Sequence, residues 1–174
     1  MQAFASGLIS AVAHSPKIAI RSWSGSASFA PGTLAGARLR VVIRTSSLEV
    51  LDEMRDSDRQ NLQRVMYEEV LETGRYPEVV FESTHINAEN LREALYRVNV
   101  EGRLALHGQT NLQALVCQVA FGVDSLRAHG QFTLLQTDYG IRVASIAGGS
   151  LKLQNELKFT FYVVGRKSAA TAAS

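Results

Sequence analysis

The residues that could support metal binding or acid–base catalysis are few and far apart in this chain. Its four histidines are His14, His85, His107 and His129. Three of them lie at or near predicted turns, but none belongs to an H-x-x-E-H or i,i+4 pattern that metal sites use. The sequence therefore predicts no metal site, and an enzyme built on these histidines is the least favoured interpretation.

Motifs for nucleophilic catalysis and phosphate binding are absent from the sequence as well. It contains neither G-x-G-x-x-G nor G-x-x-x-x-G-K, and it has no G-x-S-x-G nucleophile elbow. Cys117 lies in the apolar phase of a predicted strand, where a buried structural thiol is expected. Because no catalytic group is assembled, the sequence predicts a binding protein rather than an enzyme, with no cofactor.

Composition narrows the class of protein further. The 174 residues fit one domain with a substantial core, with 46% hydrophobic and 20% charged residues and a net charge of +2. Basic and acidic residues are interleaved, so no nucleic-acid-binding surface is predicted. A single cysteine excludes an internal disulfide, and no apolar run approaches the ~18 residues of a membrane span. The N-terminus lacks the basic region of a signal peptide, so we expect a cytoplasmic protein, or a periplasmic one if a leader has been removed.

Hydrophobic residues recur with a period of two along most of the chain, as in strands with one buried face. Residues 37–50, for example, alternate Leu39, Val41 and Ile43 with arginines. Residues 24–36 are predicted as a loop that includes at most one short strand, and 87–96 as a turn or a short helical turn. The predicted strands cover 4–12, 17–23, 37–50, 78–86, 96–110, 111–124, 125–141 and 148–165.

One segment, 54–77, has helical rather than strand periodicity. Asp56 or Ser57 is the predicted N-cap, and Ser57 with Gln60 makes a capping-box pattern. Gly74 is predicted to end the helix.

These elements predict an all-β fold with one inserted helix. Eight one-sided strands close naturally into an antiparallel barrel, because closure removes the exposed edges. We expect a single domain over 1–165 and a disordered tail over 166–174. A barrel of this size is either filled by its own side chains or holds one ligand, and both alternatives stay open here.

Three stretches of the sequence, 75–86, 96–110 and 130–161, resemble the YceI-like family. The family's P-x-x-x-F-x-S and G-x-L-x-L-H-G-x-T patterns are matched by Pro77, Phe81, Ser83, Gly102, Leu104, Leu106, His107, Gly108 and Thr110. The resemblance implies an elongated, lipocalin-like eight-stranded barrel. It also implies an apolar tunnel that holds a polyisoprenoid, an isoprenoid quinone or a fatty-acid derivative.

On this hypothesis the apolar face of the strands and the covering helix form the ligand site. Gly102 is expected to leave a gap that a bulky residue would block. The predicted ligand-binding residues are Leu62, Met66, Phe81, Val98, Val100, Gly102, Leu104, Phe132, Phe159 and Phe161. The alternative is a filled barrel that acts as a scaffold, with Trp23 and Phe29 as candidate anchors for a protein partner. A homodimer is among the oligomeric states left open.

Overall fold

The alternating segments of the sequence form one long antiparallel sheet and two short strand pairs. The computed structural model describes residues 16–30, 34, 36–142, 145–146, 151–152 and 155–168. The strands are β1 Ile18–Ile20, β2 Trp23–Ser28, β3 Arg38–Arg44, β4 Leu48–Val50, β5 Glu78–Arg92, β6 Leu95–Leu106, β7 Gln109–Phe121, β8 Ser125–Leu135, β9 Ser145–Ile146, β10 Leu151–Lys152 and β11 Glu156–Arg166. The α-helix, α1, is Asp56–Val65, and a turn of π-helix, Met66–Val70, continues it.

The main sheet has the strand order β11-β8-β7-β6-β5-β3-β2, and every neighbouring pair is antiparallel. Strands β5 to β8 are consecutive in both chain and sheet. Strand β1 pairs with β4 beyond the end of the β2–β3 pair. A 3₁₀ turn at Thr45–Ser47 separates the two pairs, and the N–H of Arg21 donates to the carbonyl of Ser47 at 3.1 Å across it.

The sheet is curled, because residues from both of its edge strands, β2 and β11, line the same internal space. This arrangement confirms the predicted all-β, antiparallel, lipocalin-like barrel architecture. The main sheet has seven strands in the described part of the chain rather than the predicted eight, and no ladder joins β2 to β11 there. The predicted strand over 4–12 lies outside the described residues.

The helix differs from its prediction at both ends. It begins at Asp56 with Arg55 as the N-cap, and no side chain caps it, so the Ser57–Gln60 capping box is wrong. The left-handed residue after the helical segment is Glu72, with φ of 45°, rather than the predicted Gly74.

Two strands extend further than their patterns predicted. Residues 87–96, predicted as a turn, continue β5 to Arg92, and Ala94 with φ of 58° makes the hairpin to β6. Asparagine and glutamate have low strand propensity, but pairing along the whole of β6 overrides it. Strand β11 includes Arg166, which pairs with Ser125, so the predicted tail begins too early. Residues 169–174 lie outside the described part.

Candidate ligand-binding cavity

A large internal cavity lies between the curled sheet and the helical segment. Its volume is about 1710 Å³, and aliphatic and aromatic side chains from the inward faces of the strands provide most of its wall. The side chains of the described residues therefore do not fill the barrel. Strand β6 illustrates the pattern, since Val98, Val100, Leu104 and Leu106 are all buried and all line the cavity.

Nine of the ten predicted ligand-binding residues lie on the wall of this one cavity, although six separate elements carry them. The nine are Leu62, Met66, Phe81, Val98, Val100, Leu104, Phe132, Phe159 and Phe161. The structure thus brings the predicted residues together around an apolar space. Whether a ligand contacts them stays a prediction.

Gly102 is the exception, and the gap expected there does not exist. A Cβ atom at Gly102 would lie 2.5 Å from Cζ of Phe81 and would overlap the carbonyl oxygen of Glu82. The ring of Phe81 therefore occupies the space that the glycine leaves. Gly102 itself is not part of the cavity wall.

A second glycine accommodates a second aromatic ring. Gly130 pairs directly with Phe161 across β8 and β11, and a Cβ atom there would lie 2.8 Å from Cζ of Phe161. Next to this pair, the rings of Phe132 and Phe159 stack at 4.8 Å with an interplanar angle of 6°. Glycines that seat cross-strand aromatic rings allow a sheet to curl while its inner face stays packed.

Sequence reasoning left several wall residues out of the predicted site. Trp23, a candidate anchor for a protein partner only in the alternative interpretation, lines the cavity, and Phe29 lies at its rim with its ring 5.3 Å from that of Phe121. Leu115 and Val119 also line the cavity, and their shared phase with Cys117 in β7 was the signal that could have identified them.

The helical segment covers one end of the cavity, and polar contacts attach it to β4. The side chain of Gln63 accepts from the N–H of Val50 at 3.0 Å and donates to the carbonyl of Leu48 at 2.5 Å. The hydroxyl of Tyr67 lies 2.7 Å from the same Leu48 carbonyl. Met66 is buried beneath these contacts and lines the cavity.

His107 joins the loop after the helix to the turn after β8. Its Nε2 lies 3.1 Å from a carboxylate oxygen of Glu72, and its Nδ1 lies 3.2 Å from the carbonyl oxygen of Tyr139. The ring of Tyr76 packs on the imidazole at 4.5 Å. His107 has φ of 51° and the next residue, Gly108, also has a positive φ, so the two residues form a turn. The histidine therefore has a structural role at this end of the barrel.

Cys117 lies on the cavity wall as a buried free thiol. Burial raises its pKa to about 11, because the thiolate would lose its hydration. A thiol in this state is a poor nucleophile at neutral pH.

Two further kinds of feature are absent from the described residues. No group of three or more histidine, cysteine, aspartate or glutamate side chains among them could hold a metal ion. No helix in the described part is long and apolar enough to span a membrane.

Solved structures with the same fold come from several bacteria. BcnA of Burkholderia cenocepacia has a TM-score of 0.73 with 16% identity, and the match covers 94% of this chain and 96% of that one. A polyisoprenoid binding domain from Saccharophagus degradans has a TM-score of 0.70 with 14% identity, covering 95% and 94%. The Campylobacter jejuni YCEI protein has a TM-score of 0.67 with 15% identity, covering 92% and 90%. At these identities the likeness establishes the fold.

A comparison with curated proteins gives no match. The model of the YceI-like domain family, by contrast, matches residues 7–164, which is most of the sequence. The residues that carried the resemblance lie within this range, and the cavity is built from the same strands. This chain belongs to the YceI-like domain family.

Proposed function

We propose that the protein binds a long-chain amphiphile in its cavity and thereby carries or sequesters it, without catalysing a reaction. The ligand class is a polyisoprenoid, an isoprenoid quinone or a fatty-acid derivative. The observation that supports this most strongly is a single space of about 1710 Å³ with a mainly apolar wall. Membership of the YceI-like family and the likeness to a polyisoprenoid binding domain support the same ligand class.

The apolar wall is sufficient to drive such binding. Burying apolar surface contributes about 25 cal/mol per Å², so each five-carbon isoprene unit contributes on the order of 3 kcal/mol. Loss of ligand freedom on binding offsets part of this gain. A ligand with a few isoprene units would therefore bind tightly without any strong polar contact.

A matched pair of substitutions tests where the ligand lies. Ala128 lines the cavity from β8, whereas Ala114 on β7 is exposed and is not part of the wall. Ala128→Phe should weaken binding of the C20 alcohol geranylgeraniol by at least about tenfold, because the ring takes up space for roughly one isoprene unit. Ala114→Phe should leave the affinity unchanged. The fluorescence of Trp23, the only tryptophan and a wall residue, reports binding.

Equal affinities of the two variants and the unmodified protein would place the ligand elsewhere. A change of the same size in both variants would point to a general effect on the fold.

A further inference from the structure

The apolar wall of the cavity reaches the protein surface at the end of the barrel opposite the helical segment. Among the described residues, two exposed large apolar side chains also line the cavity, Phe29 with 40% and Val123 with 99% of its surface exposed. Phe29 follows β2 and Val123 lies between β7 and β8, so both belong to this end. Leu91, which is 38% exposed, lies there too, at the end of β5. We call these three residues the apolar crown.

Contacts around Phe121 fix the positions of the segments that carry the crown. The ring of Phe29 packs edge-on against the Phe121 ring at 5.3 Å, and the N–H of Phe121 donates to the carbonyl of Ala94 in the β5–β6 hairpin at 2.8 Å. In the turn that follows, the N–H of Gly122 donates to the carbonyl of Ser125 at 2.7 Å. The three segments therefore present their apolar side chains on one connected surface.

Exposed cationic side chains lie around the crown. Five of them form no ion pair with another residue that the structure describes, and they are Arg38, Arg92, Arg127, Arg166 and Lys167. The exposed acids at this end are fewer. Arg97 and Glu89 pair with each other at 3.1 Å, which leaves Glu93 and Asp124. The surroundings of the crown therefore carry a net positive charge.

Exposed apolar side chains surrounded by cations fit the surface of a lipid bilayer that contains anionic phospholipids. Apolar side chains of this kind enter the boundary between headgroups and acyl chains, while lysine and arginine attract the anionic headgroups. A second copy of this chain is a poorer partner for the same surface, because the cations around the two crowns would face each other. Charge complementarity thus favours the bilayer.

We infer that this end of the barrel docks on an anionic lipid bilayer, with the apolar crown inserted among the headgroups. The inference rests on the proposed function, since an amphiphile that leaves or enters the bilayer would pass the crown on its way to the cavity. Phe29 and Val123 extend the apolar wall to the docking surface. The tail of the ligand would therefore stay out of water during its transfer.

Co-sedimentation of the protein with vesicles tests the docking surface. The unmodified protein should bind vesicles of phosphatidylcholine and phosphatidylglycerol at least about tenfold more tightly than vesicles of phosphatidylcholine alone. High salt should weaken the binding, because it screens the cations from the headgroups. The double variant L91N/V123N should bind the anionic vesicles at least about fivefold more weakly, because it removes two of the inserted apolar side chains.

The matched control for the apolar crown is L112N/V116N. Leu112 and Val116 are also exposed, but they lie on the outer face of β7 and do not line the cavity. This control variant loses a similar amount of apolar surface. It should bind the anionic vesicles as the unmodified protein does.

A second pair of variants tests the cations. R92Q/R127Q should bind the anionic vesicles about threefold or more weakly, whereas R103Q/K158Q, with the same change in net charge, should not. All four residues are exposed, and none of them lines the cavity. R92Q/R127Q should therefore bind geranylgeraniol, in the absence of vesicles, as the unmodified protein does.

Three results would overturn the inference. The first is that the unmodified protein binds neither kind of vesicle, and the second is an equal loss of binding in L91N/V123N and L112N/V116N. The third is a dimer in solution that L91N/V123N dissociates, without vesicle binding, which would show that a second copy covers the crown. In each case, binding of geranylgeraniol by the unmodified protein would leave the proposed function intact. Loss of geranylgeraniol binding alone would overturn the proposed function, because vesicle binding is measured separately.

Discussion

Individual glycines and aromatic rings together determine the shape of the cavity wall. Phe81 lies over Gly102, and Phe161 lies over Gly130, so two rings that would otherwise project into the space are seated against the sheet. Period-two alternation was enough to predict which residues face inward, and nine of the ten predicted residues line the cavity. The role of Gly102 was misjudged because it depends on register: Phe81 pairs with Leu104, diagonal to Gly102, and one sequence does not reveal this pairing.

Gly102→Ala should destabilise the protein by about 1–3 kcal/mol, because the new methyl group collides with the Phe81 ring and the Glu82 carbonyl. Urea denaturation followed by circular dichroism measures the loss. Gly74→Ala is the matched control, because a Cβ atom there meets nothing within 4 Å. It should change the free energy of unfolding by less than about 0.5 kcal/mol. A Gly102→Ala protein as stable as the unmodified one would mean that the Phe81 ring lies elsewhere.

Cys117 predicts a specific dependence of stability on alkaline pH. Its pKa is raised by burial from 9.0 to about 11, so the folded state favours the neutral thiol. The stability that this thiol contributes is complete below pH 9 and is lost as the pH rises through about 11. Between pH 8 and 11 the unmodified protein should lose about 2–3 kcal/mol more than the Cys117→Ala variant, with each pKa unit worth about 1.4 kcal/mol.

Denaturation midpoints of the two proteins at several pH values measure this difference. Tyr67 and Tyr139 also have raised pKa values through burial, but they are present in both proteins and cancel in the comparison. If the free energy of unfolding changed with pH in the same way in the unmodified protein and in the Cys117→Ala variant, Cys117 would be accessible to water.

At the level of elements, the sequence predicted the type of each segment better than its ends. The sequence pattern alone predicts long strands such as β6 and β7, because one face of each strand is buried along its whole length. The extension of β5 to Arg92 was missed, since cross-strand pairing to β6 rather than local propensity stabilises it. The π turn after α1 was missed for a similar reason, because Gln63 and Tyr67 fix the segment through contacts to β4, which lies 13 or more residues earlier in the chain.

At the level of the whole molecule, the open question from the sequence was whether the barrel is solid or hollow. The same apolar residues fit both alternatives. Alternation shows only that one face of each strand is buried from water, and it does not show whether side chains or a ligand cover that face. The curl of the sheet and the distance of the helical segment from the sheet determine the volume of the cavity. Both depend on contacts between residues that are far apart in the sequence. The resulting space of about 1710 Å³ is the basis of the proposed function.

Organic extraction of the purified protein, followed by mass spectrometry of the extract and of the intact complex, tests the central claim most directly. The account predicts about one long-chain amphiphile per chain, or uptake of one when the emptied protein is offered isoprenoid quinones, prenyl alcohols or fatty acids. A protein that is free of lipid after purification, and that also takes up none of these compounds, would contradict it.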